Sequence, residues 1–368
     1  MSAGYEEYRS VKHFANLDGL RCLCISMVVW HHARPVDLPG IKLEVRGFLG
    51  VDFFFVLSGY LITTLLLRES ARFGRFSIRD FYIRRFVRII PIYYFVVSSV
   101  AFYYIIIDDQ TQYLEILPYY YLFLSNFLVG HIPTLSPSWS LSVEEQYYLI
   151  WPALLMILSK RLVVPVLTLL IIGNVAIMTG WVWTHEPLAA GPLVFRMPNA
   201  TYAPILMGSL AAVVLHNRSA FRAVFPILSH WTAPLVGFSL LLIAMEFLPV
   251  DLRGIPNLII HSIMTLILAA LVVKEKNIFS DFLTNRIVSR IGVISYGIYI
   301  YHLLALDITS RAFSVLEIYS PWLILIVYSI VSCFFAEISF RTLEAYFLKF
   351  RTVSSRSGSV RTPSGSIS

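Results

Sequence analysis

Charge is what this chain lacks. Only 14% of its 368 residues are Asp, Glu, Lys or Arg, while 57% are hydrophobic and the mean hydropathy is +0.72. Soluble domains carry about 25% charged residues, so soluble enzymes and disordered chains are excluded at once. Cysteine is scarce too. Cys22, Cys24 and Cys333 all lie in apolar stretches, so a disulfide-stapled secreted scaffold is excluded and buried packing is their default role. Strands of alternating polarity are missing, which argues against a β-barrel. No HExxH occurs, and His31-His32 lack a third ligand at metal-binding spacing, so no metal is expected. The first apolar stretch is followed by a charged loop at 34–46 instead of a small-residue cleavage site, so it is expected to stay on the chain. What remains is a polytopic helical membrane protein.

A helical span needs about 20 mostly apolar residues to cross the hydrocarbon layer. Eleven stretches come close: 17–33, 48–67, 88–107, 114–129, 144–159, 162–183, 201–216, 231–248, 257–273, 291–308 and 320–340. Lysine and arginine placement decides which of them cross. The linker 68–88 carries seven arginines, which makes it cytoplasmic, and 108–143 carries no Lys or Arg. If 114–129 crossed, Lys160, Arg161, Lys274, Lys276 and the basic tail would all lie outside. If it dips in and returns, 22 of the 29 basic residues lie inside, six outside and Arg21 within the first helix. The expected fold is therefore all-α, with about ten transmembrane helices plus one re-entrant segment and both termini cytoplasmic. Residues 1–16 form an inner segment, 17–345 one transmembrane domain, and the Ser- and Arg-rich 346–368 a disordered basic tail. The net charge of +7 is thus a topology signal facing the lipid bilayer, and no nucleic acid is expected as a partner.

An ionisable group inside a membrane is costly, so each one is a functional candidate. Arg21 and His32 are eleven residues apart, close to three helical turns, which puts them on one face about 16 Å apart along the axis. Asp18 joins that face as an ion partner for Arg21. Asp52 stands at the outer start of the second span, where it serves either as a cap or in the site. Ser58-Gly59 serves either close helix packing or the site. Ser142 and Glu145 have capping-box spacing. Glu144 has no such structural duty and is expected at the outer depth of His32, where a carboxylate orients a histidine and stabilises its protonated form. His302 falls in the outer half of the ninth span. Arg84, Arg85 and Arg88 sit at the inner end of the third, either as topology anchors or as phosphate ligands, since guanidinium forks bind phosphate bidentately.

Read in order, Leu17-Asp18-Gly19-Leu20-Arg21 with His32, Gly50-Val51-Asp52-Phe53-Phe54-Phe55 with Ser58-Gly59, Arg84-Arg85-Phe86-Val87-Arg88, Trp139-Ser140-Leu141-Ser142-Val143-Glu144, and Ser295-Tyr296 through His302 resemble the acyltransferase-3 family. The resemblance covers about 15–345. It implies an integral-membrane O-acyltransferase of the bacterial cytoplasmic (inner) membrane. Such enzymes move an acyl group, usually acetyl, from cytoplasmic acyl-CoA to a hydroxyl of a glycan or similar acceptor. Bacterial members modify lipopolysaccharide O-antigen, exopolysaccharide, Nod factor and macrolides. Carried over residue by residue, it implies catalytic roles for His32, Arg21 and Glu144 and donor binding by Arg84, Arg85 and Arg88. Substrate contacts fall on Asp52, Ser58, Trp139 and His302. Cys22, Cys24, Tyr60 and Tyr301 depart from the usual residues, and Leu304 and Ala345 replace frequent prolines. The C-terminal hydrolase-like SGNH-type domain of some relatives is expected to be absent, because about 28 residues follow the last span.

Coenzyme A is a polyanion that cannot enter hydrocarbon cheaply. The arginines would hold its phosphates at the inner face while the thin pantetheine arm follows the Arg21–His32 stripe outward. His32 would act as general base or carry the acyl group itself. The rival expectation is a transporter or flippase for a glycan or lipid-linked intermediate. That class favours paired broken helices in two halves, and no such pairing is evident in the sequence.

Overall fold

The computed structural model describes residues 2–38, 40–179, 181, 188–195, 202–250 and 252–349. Helices dominate them. A short α1 (Ser2–Ser10) precedes α2 (Ala15–Ala33), α3 (Leu49–Phe73), α4 (Ile78–Ala101), α5 (Ser138–Ile157) and α6 (Val163–Met178). A two-stranded antiparallel hairpin, Leu188–Ala190 with Leu193–Phe195, comes next. The second half contains α7 (Ala203–His216), α8 (Arg218–Leu228), α9 (Ala233–Phe247), α10 (Ile255–Val273), α11 (Arg286–Val293), α12 (Ser295–Val315) and α13 (Pro321–Ser339).

Over their described residues, all ten stretches expected to cross lie mainly on helices. Among the described residues, four segments qualify as spans by length and apolarity, or six if two bent pairs are counted, while α6 and α7 are shorter apolar helices. Helices α2 and α5, interrupted by Asp18, Arg21, Glu144 and Glu145, are not among them. The bent pairs are α8 with α9, at 78°, and α11 with α12, at 73°. In each, a short helix bearing two arginines turns sharply into an apolar one.

Two expectations are corrected. The arginine-rich 68–88 is almost wholly helical instead of a loop. Helix α3 runs to Phe73, Gly74 ends it at φ +77, and the Ser77 hydroxyl accepts from the Asp80 amide at 3.2 Å to start α4. The arginines therefore project from helix ends. The C-terminal helix continues through Leu348, so it overlaps the tail expected from 346, and 350–368 lie outside the described residues. Residues 114–129 form no membrane-length helix but short turns, at Thr111–Leu114, Leu117–Tyr121 and Ser125–Phe127. Side chains from α4 and α5 donate to carbonyls of these turns. Tyr93 donates to the Tyr120 carbonyl at 2.9 Å, Tyr94 to Tyr121 at 2.8 Å and Gln146 to Phe123 at 2.8 Å. Irregular backbone at membrane depth requires that kind of cover.

Small residues let helices touch backbone to backbone. A Cβ on Gly59 would strike the Ile205 carbonyl, and one on Gly208 the Val56 carbonyl, so α3 and α7 pack directly through this pair. Ser209 adds a hydrogen bond to the Gly59 carbonyl at 3.0 Å. Gly208→Val is expected to cost about 1–3 kcal/mol or more by overpacking and to lower the unfolding temperature in detergent. Gly173→Ala, where no atom stands within 4 Å of the added carbon, is expected to leave it unchanged.

Candidate active site

Two cavities meet between α2, α3, α4, α5 and α12. The larger one, about 610 Å³, is lined by Lys12, Arg21, Arg68, Arg84, Arg85 and Arg88 among others, with Asp18 as its one carboxylate. Not all of these cations are equally available. Arg84 pairs with Glu69 at 2.9 Å, and Arg68 donates to the carbonyls of Tyr8, at 3.1 Å, and Val11. Arg21 reaches Asp18 at 3.4 Å, the ion partner its spacing predicts, and His13 shares that carboxylate at 3.1 Å. Arg85 lies over the Tyr148 ring at 4.3 Å. Among the described residues, Arg85 and Arg88 form no salt bridge, and Arg88 exposes its side chain where the two cavities share walls.

The second cavity is a narrow chamber of about 100 Å³ running from Arg21, Arg85 and Arg88 to Val51, Ser140 and Tyr299. The Glu144 carboxylate faces it and accepts from both Ser58 and Tyr148. Across it, Ser140 and Tyr299 are joined hydroxyl to hydroxyl at 2.6 Å, and Tyr299 donates to the Pro137 carbonyl at 3.1 Å. Trp139 backs the chamber, with its ring 6.2 Å from the lining residue Phe55.

His32 is not among the residues lining this chamber. Its Nδ1 lies 2.9 Å from the Val28 carbonyl, one turn inward. Its ring stands edge-on to His302, with centroids 4.7 Å apart. His302 is fully buried, bonded through Nδ1 to the Tyr299 carbonyl at 2.5 Å, and its ring packs 5.4 Å from that of Tyr299. A single layer, Tyr299 then His302, thus separates the chamber from His32.

The contacts of several predicted residues differ from expectation. Glu144 is held by Ser58 and Tyr148, and no contact joins it to the His32 ring it was expected to orient. Asp52 is not a cap, because α3 starts at Leu49; it faces α10 and meets His261 Nε2 at 3.1 Å. The Ser142–Glu145 capping box does not form either. Helix α5 starts four residues earlier, Ser142 bonds to Ser125 at 2.8 Å, and Glu145 lines a side cavity with Arg85. Sequence reasoning did not single out Tyr148 or His261. Each had a signal: Tyr148 lies one turn after Glu144 on the same helix face, and His261 is a lone ionisable group in an apolar span.

Comparison with known proteins adds an independent line. The peptidoglycan O-acetyltransferase OatA of Listeria monocytogenes is 30% identical over 91% of the chain, and 56% of that protein is covered. The putative peptidoglycan O-acetyltransferase YrhL of Bacillus subtilis is 28% identical over 92%, again with 56% covered. The O-acetyltransferase OatA of Staphylococcus aureus is 26% identical over 92%, with 58% covered. The chain therefore spans a little over half the length of these relatives. No solved structure matches it. The model of the acyltransferase-3 family, described as an acyltransferase domain, matches residues 14–339, and this chain belongs to that family.

Proposed function

We propose that the protein is a membrane O-acetyltransferase that takes acetyl from acetyl-CoA at its inner face and places it on a glycan hydroxyl at its outer face. One observation carries this reading: a narrow chamber leads from a cluster of arginines to Tyr299, whose ring packs on His302 and through it on His32. In this reading ten helices cross a bacterial cytoplasmic membrane, and both termini lie inside. The acceptor class follows from the relatives, which are named for acetylating peptidoglycan.

The residues fit a coenzyme A donor. A polyanion needs available cations, and Arg85 and Arg88 are the arginines of the cluster that make neither a salt bridge nor a backbone hydrogen bond among the described residues. Hydrogen bonds to charged groups are worth about 1.5–3 kcal/mol each, so two arginines suffice to anchor the phosphates. The chamber admits a thin arm and excludes a nucleotide. Ser58, Glu144 and Tyr148 present polar atoms along its wall for the pantetheine amides. The thioester then reaches the outer end, where the glycan hydroxyl attacks its carbonyl carbon. A C–O bond forms, the C–S bond breaks, and the hydroxyl proton passes to His32 and from there to the departing thiolate.

The test supplies acetyl-labelled acetyl-CoA to the purified full chain in lipid vesicles together with a peptidoglycan glycan fragment. Label is expected on the glycan in a mild-base-labile ester, with one coenzyme A thiol released per ester. Passage of the glycan across the bilayer without label would replace the enzyme by a transporter or flippase.

A further inference from the structure

Tyr148 is 3% exposed and stands where the chamber and a side cavity of about 550 Å³ share a wall. Its two ends meet different neighbours. The ring face carries the Arg85 guanidinium at 4.3 Å, and the hydroxyl donates to Glu144 Oε1. Ser58 donates to that same oxygen. Among the described residues no hydrogen bond uses Glu144 Oε2, although Glu144 lines the chamber. A carboxylate with one oxygen held by two donors is fixed in orientation, and its other oxygen is left as an acceptor without a protein donor. The ring matters for a separate reason. Arg85 lines all three cavities, and in the side cavity the one carboxylate is Glu145. A guanidinium free to swing would pair with Glu145. The Tyr148 face gives the cation a competing seat, at the place where the chamber opens.

We propose that Tyr148 is a positioning residue that fixes two donor contacts at once: its ring holds Arg85 for the phosphates, and its hydroxyl holds Glu144 so that Oε2 accepts an amide N–H of the pantetheine arm. The phosphate then meets a guanidinium already in place, and the amide an acceptor already oriented. Neither side chain has to be ordered as the donor binds, which removes an entropic cost of association. This inference rests on coenzyme A being the donor.

The experiment measures, by calorimetry on the full chain in lipid vesicles, the binding of coenzyme A and of 3′-phospho-ADP, its nucleotide half, which keeps the phosphates but has no pantetheine amide. Tyr148→Phe keeps the ring and loses the hydroxyl. It is expected to weaken coenzyme A by about 3- to 10-fold, the worth of one hydrogen bond, and to leave 3′-phospho-ADP within about twofold. Tyr148→Leu loses ring and hydroxyl together. It is expected to weaken 3′-phospho-ADP by about 3- to 30-fold, the worth of a desolvated cation–ring contact, and coenzyme A by more. A role in packing alone would move both ligands together in both variants. Unaltered coenzyme A affinity in Tyr148→Phe, or an equal loss of both ligands there, would overturn the hold on Glu144. Unaltered 3′-phospho-ADP affinity in Tyr148→Leu would overturn the hold on Arg85. The unaltered chain separates this inference from the donor assignment. If it binds neither ligand, the donor assignment falls and takes this inference with it. If it binds both and the two variants bind them equally well, only this inference falls.

Discussion

Replacing His32 with Ala is expected to reduce glycan acetylation by roughly 10²–10⁴-fold, the usual worth of a positioned general base. The size follows from the contacts of His32. Its Nδ1 is tied to the Val28 carbonyl, which leaves Nε2 free for the proton. The imidazole ring lies beyond the Tyr299 end of the chamber, next to the buried His302. The substitution shortens a half-buried side chain near the end of α2, where helix formation does not depend on it, so the folded fraction is expected to be unchanged. Donor KM is also expected to stay within about twofold, because the arginines lie several turns away at the other end of the chamber. The check is acetyl transfer at saturating acetyl-CoA, normalised to monodisperse protein. Activity within tenfold of the unaltered chain would remove His32 from the chemistry.

The second large effect is at the other end. The Arg85→Ala/Arg88→Ala variant is expected to raise the acetyl-CoA KM by about 10²-fold or more, since each lost charged contact costs about 1.5–3 kcal/mol. Its KM for the glycan is expected to be unchanged. Arg84→Ala makes the comparison informative, because the Arg84 guanidinium is paired with Glu69 at 2.9 Å and has less to give a phosphate. A smaller rise, below about tenfold, is expected there. Replacing both residues by Lys is expected to recover only part of the affinity, because an ammonium keeps the charge but loses the bidentate fork. Initial rates across a range of acetyl-CoA concentrations measure all three. An unaltered donor KM in the double variant would leave Arg85 and Arg88 as topology anchors.

The elements were legible where a single physical requirement decides them. Apolar length marked the ten stretches that lie on helices, because burying backbone in hydrocarbon requires helix regardless of packing partners. The Asp18–Arg21 pair was legible from its spacing of three residues, since such neighbours meet on any helix. Ser58-Gly59 read as a packing site, and α7 does press on Gly59. The same residues failed as guides wherever a second element competes for them. Asp52 at a helix start reads as a cap, yet the partner that claims it, His261, is more than two hundred residues away. Ser142 and Glu145 have capping spacing, yet α5 begins earlier because the Ser125–Ser138–Ser142 hydroxyls bond among themselves. Glu144 and His32 share an expected depth, but depth does not say which helix faces meet.

From the sequence alone came the membrane class, the helical architecture, the family and the short set of polar residues worth testing. All of these depend on composition and on period, which are properties of the chain read locally. The tertiary structure decided which of those polar residues touch. It set Glu144 against Ser58 and Tyr148, turned Asp52 to His261, left Arg85 and Arg88 without a salt bridge among the described residues, and set His302 edge-on to His32. Such pairings depend on how helices rotate and how closely they approach, and small residues such as Gly59 and Gly208 govern that through long-range contacts. The scarcity of charge identified the candidates, and packing assigned their partners.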